Sequence, residues 1–513
     1  MKPVRLVKGF VTVGGWTLMS RVLGFVRDAL IAAFFGAGPV AEAFAVAFSL
    51  PNMFRRFFAE GTLNVAFVPM FSKKVEAGGD AKRFAEDTLS VLATALIALT
   101  LLATLFMPAL VTIMAAGLIG DERFDLAVGF GRIAFPYVLF ISLGALFSGI
   151  LNATGRFAAA AAAPVLLNVV LSVAMIGAAK LGLPVERALI WAVPLAGIAQ
   201  LAVVWIAAAK AGFNLRPHLP RLTPEIKSLL ILAGPAALAG GVVQINLLVG
   251  RQVASFSQEG ALQYLNLADR LYQLPLGVVA IAIGIVLLPD LSRRLQAGDG
   301  QGARDAYNRA CEFALLMTVP AAVALVVIPE QLISFLFQRG AFTPEDTQKT
   351  ALAVMIYGLG LPAFVMQKVL QPLYFAREDT KTPFRFAIYA MIINALVAVG
   401  LSFFIGYLAA AVATTVAAWG MVALLWFGKK AMGEDVRTDA RLLRRAPRIL
   451  IASLLMGALL WGSESALSPV FALSRGLGTL LLVAIGIVGY FTIAHLIGAV
   501  RMAELKGSMR RGR

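Results

Sequence analysis

Fourteen apolar runs, bounded by charged or Gly/Pro-rich breaks, recur along this 513-residue chain near 10–35, 41–71, 84–108, 126–151, 158–179, 188–209, 227–256, 261–291, 308–336, 350–375, 384–404, 407–428, 448–463 and 475–499. Most reach the roughly 20 residues that one helix needs to cross a bilayer, and several exceed it, so tilt, breaks or extension beyond the membrane are expected. With 60% hydrophobic and 14% charged residues and a mean hydropathy of +0.84, a soluble globular chain is excluded. The sequence predicts an all-α polytopic membrane protein with fourteen transmembrane helices. Lys2, Arg5 and Lys8 before the first run resemble a secretory leader, but Arg21, Arg27 and Asp28 interrupt its apolar stretch, so a retained first helix is expected.

The net charge of +17 reads as topology rather than as a nucleic-acid surface, because no basic soluble module accompanies it. Between alternate runs, Lys and Arg number 31 on the side of the N-terminus and six on the other. By the positive-inside rule both termini of a multi-pass protein are expected to be cytoplasmic. A single cysteine, Cys311, and two histidines leave no intrachain disulfide and no metal cluster to expect.

A shift of 220 residues lays Val68-Pro69-Met70-Phe71-Ser72-Lys73-Lys74-Val75-Glu76-Ala77-Gly78 over Leu288-Pro289-Asp290-Leu291-Ser292-Arg293-Arg294-Leu295-Gln296-Ala297-Gly298. Further along, Phe135-Pro136 and Asn168 match Leu361-Pro362 and Asn394. Equivalent points lie six helices apart, an even number, so the halves point the same way, related by a pseudo-two-fold along the membrane normal. The expected parts are an N-lobe at 1–215 and a C-lobe at 216–430, with six helices each. A basic linker, two extra C-terminal helices and a cytoplasmic tail fill 431–513.

Charges inside the runs mark candidate function. Ser20, Arg21, Gly24, Arg27 and Asp28 fall within one arc of roughly 120° on a helix, with Val22, Leu23, Phe25 and Val26 opposite. A charge at the bilayer centre costs about 2.5–3.5 kcal/mol on insertion scales, so such groups face protein or a wet cavity. The deep cations are Arg21, Arg27, Arg55, Arg56, Arg251, Arg270 and Lys368; the deep anions are Asp28, Glu42, Glu60 and Asp269. The cations outnumber the anions by three. Against a ligand role stands simple pairing of Arg27 with Asp28, Arg56 with Glu60 and Arg270 with Asp269. The arginines sit on the first and second helices of each repeat, which places them at the interface between the lobes, where planar, permanently charged guanidinium groups suit phosphate. Asn168, Asn394, Gln244, Asn246, Gln252, Asn266 and Gln371 offer either a lining for a polar headgroup or interhelical hydrogen bonds. No P-loop, nucleophile–base pair or metal triad is present to support catalysis, and no cofactor is expected.

Ser20-Arg21-Val22-Leu23-Gly24-Phe25-Val26-Arg27-Asp28, Leu50-Pro51-Asn52-Met53-Phe54-Arg55-Arg56-Phe57-Phe58-Ala59-Glu60-Gly61 and Ala268-Asp269-Arg270-Leu271 resemble the signature stretches of the MurJ (MviN) lipid II flippase family. That family belongs to the multidrug/oligosaccharidyl-lipid/polysaccharide exporter superfamily, and the resemblance runs close to full length. It implies that Arg21, Arg27, Arg55 and Arg270 are substrate-binding cavity arginines, supported by Ser20, Gly24, Asp28, Glu42, Glu60, Arg251 and Asp269 around the cavity and portal. Glu42 stands where the family usually has Asp. The resemblance further implies a portal between helices 1 and 8, a lipid groove along helices 13 and 14, and association with cell-wall synthesis or division proteins. The implied substrate is lipid II, moved to the outer leaflet by alternating access and coupled to a monovalent cation gradient or the membrane potential. The alternatives are a flippase for another undecaprenyl-linked oligosaccharide and, from another class, a membrane glycosyltransferase, which would want a carboxylate or metal site near a membrane face.

Overall fold

The computed structural model describes residues 3–56 and 66–500, and among these the secondary structure is helical, with nineteen α-helices and no strand. The chain separates into two compact units, residues 1–263 and 264–513. The first holds α1 (Pro3–Phe35), α2 (Pro39–Arg55), α3 (Val68–Glu76), α4 (Ala81–Leu105), α5 (Met107–Ala115), α6 (Glu122–Ala134), α7 (Tyr137–Ala153), α8 (Phe157–Leu181), α9 (Val185–Lys210), α10 (Pro224–Ser255) and the start of α11 (Ala261–Gln296). After the rest of α11, the second holds α12 (Gly300–Val327), α13 (Pro329–Phe337), α14 (Pro344–Phe375), α15 (Lys381–Ile405), α16 (Leu408–Gly428), α17 (Ala440–Ala466), α18 (Ser468–Leu473) and α19 (Arg475–Leu496).

Ten helices or helix pairs are long and apolar enough to cross a membrane. The four other expected spans, near 10–35, 41–71, 227–256 and 261–291, coincide with α1, α2 with α3, α10 and α11. These carry most of the intraspan charges or include residues outside the description. Two expected spans are broken in the structure. The run 126–151 turns at Phe135-Pro136 between α6 and α7, and the run 308–336 breaks at Ile328, where Pro329 opens α13. A proline has no N–H to continue the ladder and fits best at a helix start, so the breaks fall there. Pro51 does not terminate α2, which continues to Arg55.

Helix ends are written locally. Asp80 accepts from the Arg83 N–H to cap α4, Thr343 and Asp346 form a reciprocal capping box on α14, and Asp439 accepts from the Leu442 N–H to cap α17. The sequence repeat has a backbone counterpart. Ala77 N–H donates to Lys73 O and Ala297 N–H to Arg293 O, each at 3.0 Å, and the following glycines take φ +64° at Gly78 and +72° at Gly298. A left-handed residue after the last turn closes off orphan carbonyls, and glycine adopts it without strain, which explains why the repeat keeps a glycine there.

In the first unit, Phe67, Phe71, Phe84 and Phe147 form an aromatic cluster that also buries Ile226 and Leu229 of α10. The Phe67 ring lies 5.4 Å from Phe71 and 5.6 Å from Phe84. At its start α10 is also tied by Glu225 to Lys74 at 2.6 Å. Its last turn meets the segment after α5: Ala116 N–H donates to Gln252 Oε1 at 2.6 Å and Gly117 N–H to Ser255 Oγ at 3.0 Å. A β-carbon on Gly117 would lie 2.4 Å from the Ser255 carbonyl, so only glycine permits this approach.

In the second unit, α17 and α19 pack on each other and α17 on α12, with Tyr490 Oη donating to Leu316 O at 2.9 Å. Apolar surface drives little helix association in lipid, so polar links of this kind matter. The densest lies on α12. Glu312 accepts from Arg309, Arg441 and Arg445, and Arg309 also reaches Asp439. The connection expected as a basic linker is docked rather than loose. Lys429 is buried, donating to Tyr307 Oη and Val436 O at 2.8 Å each beneath the Trp426 ring, and Asn308 holds the backbone of Arg437 and Asp439. Glu312→Ala leaves three arginines, one of them buried, without their shared carboxylate. The expected loss is about 3–5 kcal/mol, the usual result of breaking a buried pair from one side. A thermal melt of the purified protein reads it, and an unchanged melting temperature would show that the cluster is solvated instead.

Candidate substrate site

Alpha helix α1 presents its polar stripe to α8, and the pairing rests on Arg27. Its guanidinium donates from Nε and Nη2 to Asp28 Oδ1 at 3.0 and 2.7 Å, and from Nη1 to Asn168 Oδ1 at 3.0 Å. Arg27 is 5% exposed and Asp28 4%. Asn168 completes the link by donating from Nδ2 to the Ser20 carbonyl at 2.9 Å, directly over Gly24, where a β-carbon would sit in ordinary contact 3.7 Å from that nitrogen. Phe48 of α2 lies under the guanidinium, its ring centre 5.7 Å from Cζ, a distance at which the ring face attracts the cation. Val22 and Val26, on the opposite side of α1, are exposed. The helical-wheel reading is thus observed for Ser20, Gly24, Arg27 and Asp28, whereas Arg21, on the same arc, is exposed.

Around this pair the polar contacts continue inward. Phe48 approaches the Tyr137 ring, whose hydroxyl donates to Gln200 Oε1 at 3.0 Å, and Gln200 Nε2 donates to the Ala163 carbonyl. The Tyr137 oxygen feels the charges of both Arg27 and Arg55, so these two expected residues share one neighbourhood. Arg55 itself is half-buried at the end of α2, while the adjacent Arg56 is exposed, consistent with the roughly 100° between neighbours on a helix. Glu60, and with it the expected Arg56–Glu60 pair, lies outside the described residues.

Glu42 occupies a different place. Fully buried near the start of α2, it accepts from Arg123 Nη1 at 2.7 Å and, through its other oxygen, from the Leu262 N–H at 2.8 Å. Gly260 N–H also donates to it. The carboxylate therefore caps the first turn of α11, where unpaired N–H groups and the helix dipole favour an anion. Arg123 is in turn held by Asp121 at 2.6 Å, and that hydrogen bond keeps the Asp121 carboxyl below the usual carboxylate range. In the sequence Arg123 is one of the six basic residues counted between runs on the side opposite the N-terminus, a position that gives no hint of this partnership. Its only signal is an arginine just inside a capped helix start, directly after Asp121 and Glu122.

Arg251 is half-buried on α10 in the first unit. In the second unit, Asp269 and Arg270 are half-buried on α11. Asp269 accepts from Gln273 and from the Tyr272 hydroxyl, and the Tyr272 ring stacks on Phe364 at 5.1 Å. Within the first unit, then, the fold brings Arg27, Asp28, Ser20 and Gly24 together with Arg55 nearby, and assigns Glu42 to a separate ion-pair cap. No group of three or more His, Cys, Asp or Glu residues suited to a metal occurs among the described residues.

Relatives of known description identify the family. A protein named probable lipid II flippase MurJ from Rhizobium tropici is 43% identical over 99% of this chain and 97% of its own length. A second of that name, from Rhizobium meliloti (strain 1021), is 44% identical over the same shares. The solved structure of lipid II flippase MurJ in an inward closed conformation superposes with a TM-score of 0.80 at 26% identity, covering 95% of this chain and 98% of its own. A multidrug resistance MATE family transporter in an inward-facing conformation shares the fold, with a TM-score of 0.68 at 15% identity over 82% of this chain and 96% of its own. The family profile described as lipid II flippase MurJ matches residues 31–481, and the chain belongs to the MurJ family.

Proposed function

We propose that this chain carries lipid II from the inner to the outer leaflet by alternating access, with the pyrophosphate handled by Arg21, Arg27, Arg55 and Arg270. As a MurJ family member it is a lipid II flippase, a multi-pass membrane transporter of peptidoglycan biosynthesis. The observation that best supports the arginine assignment is the state of Arg27. A guanidinium carries five N–H donors, and three are engaged by Asp28 and Asn168, leaving one on each terminal nitrogen for phosphate oxygens. The apolar polyprenyl tail stays in lipid, while the charged headgroup needs this cationic route, because an unpaired charge in a low-dielectric interior costs several kcal/mol.

The finer architecture is part of the same proposal: fourteen helices, two six-helix lobes related by a pseudo-two-fold, and a final helix pair outside the repeat. The matching turns at Gly78 and Gly298 and the buried Asn168 and Asn394 support it. The rocking of the lobes draws on the membrane potential or a monovalent cation gradient, and one charge crossing 100 mV is worth about 2.3 kcal/mol. Depleting the protein in its host tests the function: lipid-linked cell-wall precursor should accumulate on the cytoplasmic face, and an unchanged distribution would sink the assignment. The charge asymmetry supports a cytoplasmic side for both termini and the 429–448 connection, and the family supports a bacterial inner membrane. A reporter that is active only in the periplasm should be silent when fused after Gly433; activity there would mean a miscounted span upstream.

A further inference from the structure

Asn168 lies 141 residues from Arg27 in the chain, yet its side chain reaches from α8 to both the Arg27 guanidinium and the backbone of α1. Its orientation is forced. The carbonyl oxygen faces the Nη1 donor and the amide nitrogen faces the Ser20 carbonyl acceptor; the reverse flip would oppose donor to donor and acceptor to acceptor. The residue is 6% exposed, so water does not compete freely for either group. Without the amide, the hydrogen bonds from Nε and Nη2 would both end on one oxygen, Asp28 Oδ1, above the non-directional face of the Phe48 ring. A single acceptor atom leaves the plane of the guanidinium free to pivot about it. The Asn168 bond to the third nitrogen removes that pivot.

We propose that Asn168 is a positioning residue for substrate: it locks the Arg27 guanidinium against rotation, so that its two unengaged N–H groups present a fixed pair of donors to a pyrophosphate. This rests on the transport reading above. Neutrality at position 168 is part of the device. An aspartate would keep the size and the acceptor for Arg27, but a second carboxylate on the same guanidinium would offset the charge that attracts the phosphate and would remove the donor to Ser20.

Three measurements on the full-length purified protein test it: lipid II binding by native mass spectrometry, flipping of fluorescent lipid II in proteoliposomes, and the melting temperature. Asn168→Asp should lose at least about tenfold in lipid II affinity, the loss of a preorganised charge-assisted contact, with a melting temperature within a few degrees of wild type. Asn168→Leu, which frees the pivot but keeps the charge balance, should lose flipping more than binding. The decisive variant is the double change Asp28→Asn with Asn168→Asp, which moves the carboxylate from α1 to α8 and should regain much of the affinity lost by Asn168→Asp alone. Wild-type affinity in Asn168→Asp, or a loss that follows the melting temperature without regain in the double variant, overturns the proposal and leaves Asn168 as helix packing. Failure of the wild type itself to bind lipid II would overturn the transport reading, and this proposal with it.

Discussion

Arg27→Ala is expected to abolish lipid II flipping and to fail to complement loss of the native protein. Removing two charge-assisted hydrogen bonds to a pyrophosphate, at about 1.5–3 kcal/mol each, weakens binding roughly 10²- to 10⁴-fold. The same change takes from Asp28 the two N–H donors that Arg27 places on its Oδ1, and breaking a buried pair from one side costs about 3–5 kcal/mol, so loss of function by itself would not separate binding from folding. Arg27→Ala combined with Asp28→Asn removes both charges of the pair; flipping should still be absent although the protein inserts and melts near the wild-type temperature. Arg27→Lys keeps the point charge and loses the planar fork. It should retain partial activity if long-range attraction dominates and none if geometry does. Transport is read by labelling outward-facing lipid II in cells with equal expression. Should the double variant flip at the wild-type rate, Arg27 is only the partner of Asp28, and the stretch 20–28 has no part in substrate handling.

Glu42→Ala should cost the most stability of any single substitution on α2. The carboxylate joins three elements at once: Arg123 on α6, the first N–H groups of α11 and, through Arg123, Asp121 ahead of α6. Alanine leaves Arg123, 7% exposed, without one of its two carboxylates. It also uncaps α11, where an N-terminal acceptor is worth about 0.5–2 kcal/mol. Together with about 3–5 kcal/mol for a broken buried pair, this approaches the whole margin of about 5–15 kcal/mol on which a typical fold rests. The expected result is low yield of folded protein and a sharply lower melting temperature. Glu42→Gln keeps the acceptor for Leu262 but opposes an amide to Arg123, so it should fall between alanine and wild type. Glu42→Asp keeps the charge but is shorter by one methylene, so it should reach one partner well and the other poorly. A Glu42→Ala protein that melts with the wild type would show that Arg123 is satisfied by Asp121 alone.

These two residues show how far the sequence could be read. Arg27 and Asp28 are neighbours on a single helix, and the 3.6-residue period alone puts them with Ser20 and Gly24 on one face and the valines on the other. The repeat block ending at Gly78 and Gly298 likewise carries its turn in its own residues, because a left-handed position demands a particular side chain whatever surrounds it. Glu42 was legible only as a charge inside an apolar run. Its partners lie 81 and 220 residues away, and periodicity says nothing about them.

The apolar runs, their polar faces, the charge asymmetry and the helix caps were determined by the sequence, since each follows from local geometry or from the cost of placing a charge in lipid. Tertiary structure alone decided which of the buried polar groups meet. It set Asn168 against Arg27, drew Arg123 to Glu42, gathered Arg309, Arg441 and Arg445 on Glu312, and folded the 429–440 connection around Lys429. A helix face fixes only the direction in which a side chain leaves its own axis. The atom it reaches depends on where another helix, far along the chain, has been packed.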